Sequence, residues 1–123
     1  MSTGLILFAH GARDARWREP FDRLAALVTQ RHSGPVSLAF LEAMSPDLTQ
    51  AAVALAAAGA QCITVVPLFL GTGGHLRQDM PALIAKAQSA AGIPLSAVAA
   101  VGEDTAVLAA MAEYCLRNAA PPR

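Results

Sequence analysis

Long apolar runs are missing from this chain. Every hydrophobic stretch falls far short of the roughly 20 residues that a membrane-spanning helix needs, which argues against a membrane protein. An excess of either charge sign is missing too. Nine basic and nine acidic residues give a formal net charge of zero, which argues against a general nucleic-acid binder. No basic n-region and long apolar h-region open the sequence, so no secretory signal is expected. Cysteine is scarce. Cys62 and Cys115 are the two present, and neither lies in a CxxC pair. Two buried thiols in a reducing cytoplasm are the favoured reading. There is no GxxxxGK[ST] and no GxGxxG after the first apolar run, so nucleotide binding has weak support.

What is present suits one compact α/β domain over 1–123. The chain has 123 residues, 54% of them hydrophobic, with 28 alanines that favour helix and pack closely. That apolar fraction also leaves room for a buried subunit interface. Four βα units can be read along the chain. Strands are expected at 4–10, 36–41, 62–70 and 95–101. The first helix starts near Pro20, and Phe21, Leu24, Ala25 and Val28 give it a core-facing stripe. Ser45-Pro46 reads as N-cap and first position of the second helix, which runs to Gly59. Asp79, before Met80-Pro81, reads as the N-cap of a third helix ending at Ala91. Asp104 caps a fourth, with Leu108, Met111 and Cys115 on its inner face, and 119–123 is expected to fray. Alternating strands and helices predict a three-layer domain around a mainly parallel four-stranded sheet, covered on both faces.

Three scattered residues then fall at one edge of that sheet. His10 ends the first apolar run, Glu42 ends the second, and His75 follows the third across Gly71-Thr72-Gly73-Gly74. In open α/β sheets ligands bind outside the carboxyl ends of strands. His10 offers a neutral imidazole as metal ligand or proton acceptor; the bland alternative is a histidine bonded to loop backbone. Glu42 is costly at the end of a buried strand unless paired, ligated or catalytic; the alternative is a salt bridge to a nearby arginine. Gly73 and Gly74 give a backbone that a bulky flat ligand can approach. Eight of the nine basic residues are arginine, and Arg13, Arg16, Arg18 and Arg23 follow His10 closely. These offer bidentate carboxylate contacts or simply a solvated helix entrance. Trp17 could stack on a ligand or fill a subunit contact. His32, in a polar turn, reads as solvated.

Taken in order, Phe8-Ala9-His10-Gly11-Ala12-Arg13, then Ala39-Phe40-Leu41-Glu42, then Val66-Pro67-Leu68-Phe69-Leu70-Gly71 through Gly74-His75 to Asp79-Met80-Pro81, the chain resembles the short sirohydrochlorin chelatases of the CbiX type. The likeness runs from Leu5 to about Pro81. It implies a chelatase-like half-domain and insertion of Co²⁺, or in relatives Ni²⁺ or Fe²⁺, into a sirohydrochlorin-type tetrapyrrole. Carried over by position, His10 and His75 would hold the incoming metal, with Glu42 as ligand or proton acceptor. Arg13, with Arg16 and Arg77, would meet substrate carboxylates. The metal is then a substrate, and no permanent cofactor is implied. Short members of the family look like homodimers, and a cytoplasmic location follows. A non-catalytic metal or tetrapyrrole carrier using the same residues is the competing reading. A domain whose histidines serve only structure is the third.

Overall fold

The computed structural model describes residues 2–119 and 121. Its sheet has four strands, all parallel, in the order β2-β1-β3-β4. They are β1 (Thr3–Ala9), β2 (Val36–Phe40), β3 (Cys62–Pro67) and β4 (Leu95–Ala97). The helices are α1 (Glu19–Arg31), α2 (Leu48–Ala57), α3 (Gly74–Ala91) and α4 (Thr105–Asn118). Single 3-10 turns at Ala15–Arg18 and Val101–Glu103 lead into α1 and α4. The expected α/β class and parallel sheet are thus observed. Among the described residues no helix is long and apolar enough to cross a membrane.

Alternation along β1 builds the layers. Ile6 and Phe8 face one side, where they join Leu48, Ala51, Ala52 and Leu55 of α2 and Ala87 of α3. Leu7 and Ala9 face the other, beside Phe21, Ala25 and Val28 of α1. Successive side chains of a strand point to opposite faces, so a buried central strand must be apolar at every position. Phe8, at 1% exposure, is among the largest fully buried side chains.

Several boundaries differ from those expected. Asp47, not Ser45, caps α2; its carboxylate accepts from the Gln50 amide at 2.8 Å, and the Gln50 side chain accepts from the Asp47 amide at 2.9 Å. That reciprocal box satisfies two orphan donors; with Ser45 as cap the third helical position would be Leu48, whose side chain has no acceptor to return. β3 stops at Pro67, which has no N–H to extend the ladder. β4 stops at Ala97 rather than continuing to Val101.

The largest difference is α3. It begins at Gly74, so Asp79 is not its cap and Pro81 lies inside it. Leu76, Met80, Leu83, Ile84 and Ala87 form one stripe against the core. Burial of that stripe outweighs the hydrogen bond Pro81 forfeits. The α1 stripe holds for Phe21, Ala25 and Val28, whereas Leu24 is exposed. Leu108, Met111 and Cys115 of α4 are exposed instead of forming an inner face. The thiol expectation therefore fails for Cys115; Cys62 is half-buried, with its Sγ 3.5 Å from the Thr3 hydroxyl. His32 is half-buried rather than solvated, and its Nε2–H donates to the Thr3 carbonyl at 2.7 Å. The frayed tail expected at 119–123 lies mostly outside the described residues.

Asp47→Ala should destabilise the domain by about 0.5–2 kcal/mol through loss of the cap. Phe8→Ala should cost about 3–5 kcal/mol through the cavity it leaves. Denaturant titration of both variants checks the order.

Candidate metal and substrate site

From β1 the chain crosses to β2 on one side, and from β3 it crosses to β4 on the other. The carboxyl ends of β1 and β3 therefore flank a topological switch point, the usual ligand crevice of open α/β sheets. His10 follows β1 directly, and the loop from Leu68 to Gly73 follows β3.

Backbone pairing past the strand ends sets the first two side chains. The Leu41 amide donates to the Ala9 carbonyl at 2.9 Å, and the Glu42 amide to the His10 carbonyl at 3.1 Å. Their side chains then meet, with His10 Nε2 3.4 Å from Glu42 Oε1. Both remain more than half exposed, at 56% and 66%. Glu42 thus pairs with a histidine, not with an arginine. Gly11 makes the approach of the two loops feasible. Its φ is +95°, and a Cβ there would run into the Glu42 carbonyl.

Phe69 supports the imidazole from the side. Its ring is 6.2 Å from that of His10 at an interplanar angle of 78°, and it rests edge-on against Phe8 at 5.9 Å. Sequence reasoning missed this aromatic, because nothing in the loop's composition marks which of its residues turns inward.

His75 stands in the first turn of α3, not at the end of a flexible turn. It lines a cavity of about 330 Å³ with His10, Leu41, Phe69, Gly73, Leu76 and Asp79 among the walls. Asp79 follows His75 by four residues on the same helix, so the two share a face. That spacing was readable, given a helix that starts at Gly74. Among the described residues, no three His, Cys, Asp or Glu side chains group closely enough to hold a metal. The structure therefore brings His10 to Glu42, and His10 and His75 to one cavity, without closing a three-ligand set.

Gly73 is the N-cap of α3 and Gly74 its first residue. A Cβ at either would meet nothing within 4 Å, so packing within the chain does not require glycine there. The arginines divide. Arg16 binds Asp14 at 3.0 Å; this guanidinium, with the Arg16 amide, holds the Asp14 carboxyl below its ordinary range. Arg18 pairs with Asp22 at 3.2 Å and covers the Phe40 ring. Arg13 is exposed and has no ion-pair partner among the described residues. Trp17 packs on Phe21 and Phe40 within the chain.

A family model described as CbiX matches residues 4–117. The chain belongs to the CbiX family. A sirohydrochlorin cobaltochelatase from Saccharolobus solfataricus is 37% identical over 81 residues, 66% of this chain and 62% of that protein. One from Methanosarcina acetivorans is 31% identical over 91 residues, covering 73% and 70% respectively. The chain thus spans less than two-thirds of the Saccharolobus relative. Among solved structures, a cobalamin (vitamin B12) biosynthesis CbiX protein from Marinobacter aquaeolei VT8 superposes with a TM-score of 0.85 at 31% identity, over 94% of this chain and 96% of that one. The sirohydrochlorin chelatase SirB from Bacillus subtilis subspecies spizizenii, in complex with cobalt, gives 0.81 at 29% identity. It covers 98% of this chain and 52% of that one. This CbiX-family chain therefore corresponds in extent to about half of SirB.

Gly11→Ala should destabilise by more than about 1 kcal/mol, because it combines a left-handed backbone with a collision against Glu42. Thermal unfolding of this variant, compared with Gly73→Ala as a tolerated control, checks it.

Proposed function

We propose that this chain inserts divalent cobalt into a sirohydrochlorin-type tetrapyrrole. The observation that carries the reading is His10, paired with Glu42 and lining one cavity with His75, at the switch point of the sheet. The names of the CbiX relatives support cobalt. Nickel and ferrous iron suit the same donors, since imidazole and carboxylate serve all three ions.

The chemistry asked of these residues is modest. The metal exchanges its waters and protein donors for the four ring nitrogens as two N–H protons leave the ring, so charge balances: a dication enters and two protons depart. His10 and His75 offer neutral nitrogen donors to the incoming ion. Glu42 serves as a further ligand or accepts one of the two protons, and solvent takes the other. An open, incomplete ligand set favours handing the metal over rather than storing it. Asp79 shares the cavity and adds a second carboxylate near His75.

A cavity of 330 Å³ lies at the lower end of small-molecule sites. It takes the edge of a macrocycle and leaves the rest uncovered. Association of two chains as a homodimer would cover that remainder. Gly73 and Gly74 offer open backbone to the flat ring, and Arg13, three residues after His10, and Arg77, two after His75, would offer guanidinium groups to its carboxylates. The reactants are water-soluble, which suits a cytoplasmic setting.

Anaerobic incubation of sirohydrochlorin with Co²⁺ tests the reading through the loss of free-ring absorption. His10→Ala and Glu42→Gln should each slow insertion on the order of 10²-fold or more. Stoichiometric binding of metal or ring without product would favour the carrier reading instead. Gly73→Ser, which keeps a favourable capping residue, should leave thermal stability nearly unchanged and raise KM for the tetrapyrrole, because a Cβ there meets nothing within the chain.

A further inference from the structure

α4 is at odds with the rest of the domain. Its sequence from Thr105 to Asn118 carries one acid, Glu113, and one base, Arg117, among residues that are otherwise largely apolar or alanine. A helix that is apolar nearly all round belongs in an interior. Yet none of its residues is buried, and among the helices and strands described its appreciable contacts are with the Val101–Glu103 turn. Leu108, Met111, Tyr114 and Leu116 are 46%, 41%, 63% and 72% exposed. Val107, Ala110, Met111, Tyr114 and Cys115 line one shallow apolar hollow along it. A helix of this length is marginal in water unless something packs against it.

From this we infer that the apolar face of α4 is the surface through which two copies of this chain associate. The inference rests on the homodimer reading above and gives that dimer its contact element. Three observations choose a second copy as the occupant. First, the chain matches SirB over 98% of its own length but only 52% of SirB's, so in SirB about as much polypeptide again accompanies this unit. The Marinobacter CbiX chain, by contrast, is covered to 96%, so this unit also occurs without a second half in the same polypeptide, and a second copy is of the size to replace it. Second, charge offers nothing to a nucleic acid or an anionic membrane. α4 has one charge of each sign and the whole chain is neutral, so two copies meet without repulsion. Third, the area needed points the same way. α4 alone is a strip about 21 Å long and about 10 Å wide, short of the roughly 800 Å² per partner of a stable interface. The apolar surface continues beyond it, however. Leu70 and Val98 are 59% and 49% exposed, and the turn that launches α4 is fastened to their side of the molecule. The Gly102 amide donates to the Phe69 carbonyl at 2.9 Å, and a Cβ on Gly102 would run into the Leu70 carbonyl.

That fastening links the contact to the site. Phe69 is the residue whose ring lies against His10. A second copy seated on α4, Leu70 and Val98 therefore borders the loop that walls the cavity.

Sedimentation over a wide concentration range tests the proposal on the intact chain. The wild type should dimerise, and Met111→Glu should weaken the dimer by roughly tenfold or more. Leu27→Glu, at an exposed position of α1, should not. Hydrogen exchange on the wild type covers the case in which Met111→Glu fails to fold. The α4 amides should gain protection as concentration rises, and the α1 amides should not. A wild type that stays monomeric throughout would overturn both this inference and the homodimer. A dimer indifferent to Met111→Glu, with α4 amides unprotected, would overturn the α4 contact and leave the homodimer standing. Loss of the dimer in Met111→Glu alongside a wild type that fails to insert cobalt would support the contact and sink the chelatase reading.

Discussion

The hydrogen bond from the Glu42 amide to the His10 carbonyl holds the candidate site together. It extends the β1–β2 ladder beyond both strands, so two loops that would otherwise diverge stay in register. Strand pairing fixes the separation of neighbouring backbones at about 5 Å, and the imidazole and carboxylate have little choice but to meet. Gly11 is the condition for that register, because no other residue leaves room for the Glu42 carbonyl. The candidate site is thus an outgrowth of the sheet rather than an independent loop structure.

The layers behind it serve the same end. β1 is central and buried on both faces, so its carboxyl end cannot drift. Phe69 transmits that rigidity outward, from Phe8 in the core to His10 at the surface. His75 is fixed differently, by the first turn of a helix whose apolar stripe anchors it to the core. Two anchored segments therefore present one histidine each to a shared cavity.

Much of this is legible in the order of the amino acids. The four apolar runs specify the parallel sheet, and their ends name His10 and Glu42, because a strand's carboxyl end is where an α/β fold exposes side chains. The expected position of His75 is right in outline and wrong in detail. Pro81 obscures the start of α3, although Leu76, Met80, Leu83 and Ile84 keep helical spacing straight through it. The arginines after His10 are less informative. Arg16 and Arg18 turn to Asp14 and Asp22, and only partner geometry separates them from the unpaired Arg13. α4 departs from its expected inward face for a related reason: periodicity tells which side of a helix is apolar but not whether anything lies against it.

By itself the amino-acid order determined the class of fold, the family and the identity of the candidate ligands. The fold class and the candidate ligands follow from local patterning, in which strand, turn and helix signals are carried by neighbouring residues, and the family from the resemblance of those motifs to the CbiX chelatases. Tertiary structure alone decided that His10 pairs with Glu42, that Phe69 flanks the imidazole, that Trp17 turns inward and that α4 is left uncovered. Those outcomes depend on which surfaces compete for the same space once the sheet has formed, a competition between residues far apart in the chain.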